Sequence, residues 1–455
     1  MNTLLFLIVF TLLGALYFVL GLRASRNVKT DTDYFVANRQ LGLWQISANL
    51  IATQLGGGML LGTAASSYVA GYYGILYTLG MALGFILLSC GIAARLQQFK
   101  VTTTAQLFET QYNSPVLKKI ASLLSIATLF GILIAQVVGF KSLMAAVGFG
   151  AWYIVLPFWI SVVAYTMIGG LRAITINDMV QLCIITITFG SIFVASLLSE
   201  PSLGSALRSL LDAQPLFTPE RLSFASLCGV ILMPALFSLI EQDLAQRFFA
   251  SKTKFVATIS AFNAAVFLLL FSIIPVYLGM KAKLSGLVIP EGANPLLVIL
   301  EANTSSIIFA FALCAIVAAI VSTADALMNG ISANITQDFT LARLGNWNKL
   351  TISKITTLCI GLSSLVASYF VPQNIIGILI TSYELSVGCL LVPLLFCYFK
   401  KEVKKSAAFG AITFGLIGFV IFRIYPTPVP KELLVILLSL IGYGVGGLMR
   451  GKGAN

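Results

Sequence analysis

The sequence predicts an all-α polytopic membrane protein of about thirteen transmembrane helices, and three observations carry that prediction. Hydrophobic residues make up 58% of the 455-residue chain and charged residues only 10%, against about 25% charged in an ordinary soluble domain. Mean hydropathy is +0.98, and the apolar residues fall into runs of roughly 20, the length that spans a bilayer. The basic residues sit in the short loops between those runs, sorted to one side of the membrane.

The runs lie at about 4–22, 44–70, 74–95, 119–147, 151–169 and 174–199, then at 223–243, 254–279, 304–334, 349–370, 373–399, 403–423 and 431–449. The weakest division is between the fourth and fifth, where only Gly148 to Gly150 mark a turn. The first run has no basic n-region and no small-residue cleavage site, so it reads as a retained span rather than a signal peptide. With the N-terminus outside and the C-terminus in the cytoplasm, 21 of the 28 basic residues fall in inside loops. Six fall outside, and Lys141 remains within a span. Short loops of this kind fit a multi-pass protein of a bacterial inner membrane.

The units expected are a first peripheral span and cytoplasmic loop (1–43), a first repeat (44–199), an external loop (200–222), a second repeat (223–399), and two peripheral spans with a short tail (400–455). A second long external connection, about 280–303, contains GLVIPEGANPLL and has room for a short interfacial helix.

Several function classes recede. The net charge of +12 is spread over loops rather than gathered on one face, which argues against nucleic acid. Histidine is absent, which removes the usual general base near neutral pH and the commonest transition-metal ligand. With no nucleophile–base set either, the sequence points away from an enzyme. The seven cysteines lie in apolar runs without a CxxC pair and read as buried small hydrophobes.

Polar residues at membrane depth are expensive and mark partners, wet cavities or function. Candidates are Lys141, Asp178, Glu241, Asp243, Asp325 and Glu384. Lys141 is placed to snorkel, and Glu241 and Asp243 to form a structural ion pair with Arg247 at a cytoplasmic helix end. Glu384 fits either a structural hydrogen bond or a transport role. The most informative cluster is CAIVAAIVSTADALMNG, where Ser322 and Thr323 offer adjacent hydroxyls and Asp325 follows. Sodium wants several oxygen ligands, and a continuous helix has no free carbonyl at its middle. A broken helix has. ANLIATQLGGGML supplies one, with Gln54, Gly56, Gly57 and Gly58 interrupting an apolar run near Ala52. Tight helix packing through small residues is the competing account of those glycines. The seventh run is interrupted as well, at Gly229 and Pro234, where a kink is expected. Two broken helices, each first in its half, fit a five-plus-five inverted repeat with the solute between the breaks.

Four blocks in register, ATQLGGGMLLGTAASSYVAGYYG, GGLRAITINDMVQ, QRFFASK and AAIVSTADALMNGISANITQDF, make the chain resemble the sodium/solute symporter family from about residue 34 to 400. That family includes carriers of sugars, proline, pantothenate, choline and sialic acid. The resemblance implies sodium ligands at the carbonyls of Ala52, Leu55 and Ala319 and the hydroxyls of Ser322 and Thr323. It also implies a pocket at or near Gln54, Gly57 and Gly58. Asp178 matches an aspartate that lines a second sodium site in some members. The hydroxyl usual beside Asp325 is missing at Ala326, so Asp178 is open to a gating or ion-exit role. The GGG and GTA pattern looks somewhat like the choline branch, whose cation would want aromatic walls. Tyr68, Tyr72, Tyr73, Trp152 and Trp159 are the available aromatics.

The expected function is sodium-coupled import of a small polar organic solute across the bilayer by alternating access. A proton-coupled carrier working through Asp178, Asp325 or Glu384 is the alternative within transport. A solute sensor with a transporter fold is the alternative outside it, disfavoured because the chain ends at RGKGAN without an output domain.

Overall fold

The computed structural model describes residues 3–26, 28–199, 224–290, 292–339, 348–372, 374–400, 402–425, 427 and 429–449. The expected external loop 200–222 lies outside them. The described chain is helical apart from one isolated bridge between Leu41 and Ser251. Eleven of its helices are long and apolar enough to cross a membrane, so it is an all-α polytopic membrane protein.

The first long helix, α1 (Thr3–Ser25), is largely exposed to the surroundings of the bundle. The first broken helix consists of α2 (Leu43–Gln54), an unwound step, a wide turn at Gly58–Gly62 and α3 (Thr63–Ala70). The chain reverses at Gly71, whose φ of +65° suits glycine, into α4 (Leu76–Leu87). Two long helices follow, α5 (Pro115–Ala146) and α6 (Trp152–Leu198). The second is broken at Gly170 (φ 56°), where the Tyr34 backbone leaves no room for a β-carbon.

The second broken helix carries α7 (Met233–Phe237) and α8 (Gln242–Ala250). After it come α9 (Lys254–Leu284), α10 (Ser306–Asp338), α11 (Lys349–Ala367) and α12 (Ile375–Phe399). The final pair, α13 (Lys405–Ile424) and α14 (Lys431–Leu448), pack chiefly on each other and on α12. The expected short helix of the long connection is present at Pro295–Asn303.

The most buried of the eleven is α10, which packs on α1, α2, α5, α6 and α11. Its run of Ala, Ile, Val and Leu fills the centre. Its polar residues therefore have only other helices to meet. Four cysteines are buried as expected, but Cys90, Cys183 and Cys359 are exposed. An apolar thiol facing outward costs little when the surroundings are lipid.

The second break departs from the expected position. Pro234 follows directly on a wide turn at Cys228–Leu232, with Leu232 and Met233 still helical, so the irregularity expected around Gly229 and Pro234 is a widened turn and not an opening. The helix instead opens at Ser238–Glu241. The N–H groups of Ile240 and Glu241 both reach the Phe237 carbonyl at 2.9 Å, and Glu241 is extended (φ −61°, ψ 125°).

Candidate functional site

The site forms where α2 and its unwound step face α5 and α10. In an unbroken helix the carbonyls of Ala52 and Thr53 would accept from the N–H groups four residues on, at Gly56 and Gly57. The chain leaves helical geometry at Leu55 (φ −75°, ψ 23°). Gly57 N–H donates to Oε1 of Gln136 on α5 at 2.9 Å instead. The Thr53 carbonyl is thereby freed for an outside partner.

Two hydroxyls of α10 meet these carbonyls. Ser322 Oγ lies 2.9 Å from both the Ala52 and the Ala319 carbonyl oxygens. Thr323 Oγ1 lies 2.7 Å from the Thr53 carbonyl and 3.2 Å from that of Ala319. All of these residues are buried. Close approach makes the geometry possible. A β-carbon on Gly56 would fall 2.7 Å from Gln136 Oε1 and against the Thr323 hydroxyl. The glycine run thus serves both accounts weighed from the sequence, breaking the helix and admitting its neighbours.

Of the oxygens expected to hold sodium, those of Ala52, Ala319, Ser322 and Thr323 come together. Leu55 is buried in the break itself. Thr53 and Gln136 were missed. A lone buried Gln in an apolar run was the available signal for the second. Nothing in sequence marks a carbonyl as free.

At the second break Glu241 caps the start of α8 and is 6% exposed. Gln54 Nε2 donates to its carboxylate at 3.3 Å, so the two breaks touch through Gln54 and Glu241. Glu241 thus stands at a helix end, as expected, and there it also meets the first break. Arg247, fully buried, donates through Nε to Asn49 of α2 and through Nη1 to the Asp243 carbonyl. Its charge is felt by Asp243, Asp178, Glu241 and Asp325. Asp325 accepts from Tyr165 and Thr166 of α6. Asp178 is fully buried, and neither of its carboxylate oxygens has a hydrogen-bond partner among the described residues.

Other candidates lie elsewhere. Glu384 pairs with Lys431 at 2.8 Å and with Arg423 at 3.8 Å, facing the α13–α14 pair rather than the breaks. Lys141 donates to the Ser368 carbonyl at 3.1 Å and sits over the Tyr369 ring. Trp152 is exposed, Trp159 donates to the Gly361 carbonyl, and Tyr72 and Tyr73 pair with each other. The aromatics near the breaks are different ones. Tyr77 and Tyr383 share a hydroxyl hydrogen bond of 2.9 Å, and Phe237 stacks on Tyr383 at 4.6 Å. A β-carbon on Gly58 would stand 3.3 Å from the Tyr77 hydroxyl.

A cavity of about 620 Å³ reaches this aromatic layer, lined by residues of α3, the start of α4 with Tyr77, and residues 374–377. It is within the usual size range for small-molecule sites. None of its lining residues comes from α2 or α8. On their side the chain is closed. Leu41 bridges to the end of α8, with Leu41 N–H on the Ala250 carbonyl and Lys252 N–H on the Leu41 carbonyl. Arg39 ties the carbonyls of Phe249 and Val101 together, and Gln246 holds the Phe35 carbonyl at 2.6 Å.

The sodium:solute symporter family profile matches residues 34–418. The chain belongs to the sodium:solute symporter family. This symporter therefore couples sodium to the transport of a small polar solute by alternating access in a lipid bilayer. Its fold is similar to that of a sodium-coupled sialic acid symporter in a substrate-bound outward-open state, at 15% identity over 98% of both chains, with a TM-score of 0.79. It is also similar to Mhp1, a nucleobase-cation-symport-1 family transporter in a closed conformation with bromovinylhydantoin bound. That match has 14% identity, covers 90% of this chain and 92% of the other, and scores 0.58. MhsT in complex with L-phenylalanine matches at 14% identity over 89% and 97%, with a score of 0.52.

Proposed function

We propose that sodium binds among the carbonyls of Ala52, Leu55 and Ala319 and the hydroxyls of Ser322 and Thr323, with the solute beside it between the two breaks, near Gln54, Gly57 and Gly58. The observation that carries this reading is the pair of hydroxyl contacts, Ser322 to Ala52 O and Thr323 to Thr53 O. They gather neutral oxygens around one point without a competing fixed cation. A hard cation draws its ligands from such oxygens. Bound there, sodium would fasten α2 to α10 and favour the conformation that accepts solute. That shared preference is what coupling requires, and it is reciprocal.

The chain then crosses the membrane thirteen times. Two of the eleven apolar stretches, Gly58–Gln98 and Val155–Leu198, are 41 and 44 residues long. At about 1.5 Å per residue each reaches roughly 60 Å, twice the hydrocarbon thickness. Each contains a positive-φ glycine, Gly71 or Gly170. The core is a five-plus-five inverted repeat over residues 44–199 and 223–399, with 1–43 and 400–455 peripheral. With the N-terminus outside, in a bacterial inner membrane, the large cavity faces out and the Leu41–Ser251 closure faces the cytoplasm. Asp178 and Asp325, with Arg247, serve the cytoplasmic gate.

Equilibrium binding of labelled sodium to purified protein, at constant ionic strength, tests the ion site. Saturable binding that weakens at least about tenfold in Thr323→Ala is expected, as loss of one ligand oxygen is worth about 1.4 kcal/mol. Unchanged sodium affinity in that variant would remove the assignment.

A further inference from the structure

We propose that the solute carries a positively charged nitrogen, held between the Glu241 carboxylate and the rings of Tyr77, Tyr383 and Phe237. This deepens the reading of the two breaks as the solute site and rests on it.

Glu241 stands at the meeting point of the breaks. Its carboxylate is buried, and the Gln54 donor that meets it is neutral and 3.3 Å away. A charged donor makes a shorter and stronger bond to a carboxylate than a neutral amide does. Gln54 is therefore a contact that a cationic solute displaces at little cost. The aromatic wall is tied to the same residue. Glu241 N–H bonds the Phe237 carbonyl at 2.9 Å, one turn away. The Phe237 ring stacks on Tyr383, and Tyr383 bonds Tyr77. Tyr77 also lines the large cavity, so the aromatic cluster opens to that cavity at Tyr77. Aromatic faces backed by one carboxylate match an ammonium group, through ring quadrupole and charge together.

The charge inventory agrees. Arg247 is buried together with four carboxylates that interact with its charge, those of Glu241, Asp243, Asp178 and Asp325. Its assigned hydrogen bonds go to Asn49 and to the Asp243 carbonyl, not to Glu241. Acidic groups at membrane depth call for counter-charges, and the sodium proposed at Ser322 and Thr323 is only one. Lys141 and Lys431 make their contacts elsewhere. Arg247 keeps one buried nitrogen, Nη2, without a hydrogen-bond partner among the described residues, but one guanidinium against four carboxylates still leaves these acids short of positive charge, which favours a cationic solute over a carboxylate-bearing one.

The test uses purified full-length protein in sodium and in potassium. Small ammonium compounds, primary through quaternary, are each paired with a neutral isostere in which carbon replaces nitrogen, and small carboxylates are added. Affinity is read from ligand-induced shifts in thermal unfolding and from calorimetry. Expected is sodium-dependent binding of at least one ammonium compound, about tenfold or more tighter than its isostere. That preference should be lost in Glu241→Gln and retained, at altered affinity, in Glu241→Asp. Equal binding of neutral isosteres, preference for carboxylates, binding of no ammonium compound, or an ammonium preference that survives Glu241→Gln would each overturn the proposal. Wild-type protein alone separates the first three outcomes, so a misfolded variant does not decide them. Labelled-sodium binding in Thr323→Ala reports on the underlying site independently. If it stays at wild-type affinity, the reading of the breaks fails. If it weakens while ammonium compounds do not bind, only the solute class fails.

Discussion

Between Gln54 and Gly58 the first broken helix is held by neutral groups, a Gln136 amide on Gly57 N–H and two hydroxyls on freed carbonyls. Between Ser238 and Glu241 the second is bordered by charge, with Glu241 in the gap and Asp243 and Arg247 in the half-helix that follows. The first arrangement leaves oxygens without a fixed counter-ion, which suits a small hard cation. The second has fixed charges that need balancing, which suits recognition of a partner and the locking of α8 against α2. The same backbone event thus yields two kinds of site, according to what its neighbours bring.

The largest effect is expected at the charged break. Arg247→Met leaves buried carboxylates without their guanidinium, and removing one side of such a set costs about 3–5 kcal/mol. Thermal unfolding in detergent should show a clear drop. A wild-type midpoint would mean that the acids are balanced by something else. Next comes crowding at the neutral break. Gly56→Ala forces its β-carbon onto Gln136 and Thr323, and overpacking of this kind costs about 1–3 kcal/mol. Sodium affinity should fall with stability. A variant that melts normally and binds sodium normally would show that α2 and α10 are not as close as described.

Gln136→Leu probes the same break from α5. It leaves the Gly57 N–H buried without its acceptor, at about 1–3 kcal/mol. Because the Thr53 carbonyl is available nearby, the chain can partly rewind, and sodium affinity should drop more than unfolding does. Loss of stability with full sodium affinity would break the link between helix opening and the ion site. The smallest effect is expected at Lys141, which is half-buried and makes its contacts with Ser368 and Tyr369 rather than with either break. Lys141→Met removes bonds to Ser368 and a ring contact, worth about 0.5–1 kcal/mol. Sodium binding should not change. A large change would show that the ion site is coupled to the periphery.

Much of this was legible beforehand. The spans at 4–22, 254–279, 349–370 and 431–449 became α1, α9, α11 and α14 within a few residues at most ends. Ser322 and Thr323 were singled out because two hydroxyls on a buried apolar helix need a reason. The second break was misplaced because Pro234 looked like the disruption. The widened turn at Cys228–Leu232 accommodates the proline, so the chain stays helical across Pro234 and opens four residues later. Glu241 is at a helix end as expected, but its meeting with Gln54, 187 positions away, had no local signal. The aromatics first considered were near the glycine run in sequence or were tryptophans. Tyr77 and Tyr383, 306 positions apart, had no local signal that they meet.

By itself, the sequence determined that this chain lives in a bilayer, where its helices run, that one of them is broken at glycines, and which two hydroxyls face the core. Those follow from composition, periodicity and backbone freedom, which act over one turn or one span. Only the tertiary structure decided that Gln136 takes the Gly57 N–H, that the Thr53 carbonyl is consequently free, and that Gln54 meets Glu241. Each depends on groups from different helices arriving within about 3 Å, the reach of a hydrogen bond, and that distance is set by the packing of the whole bundle.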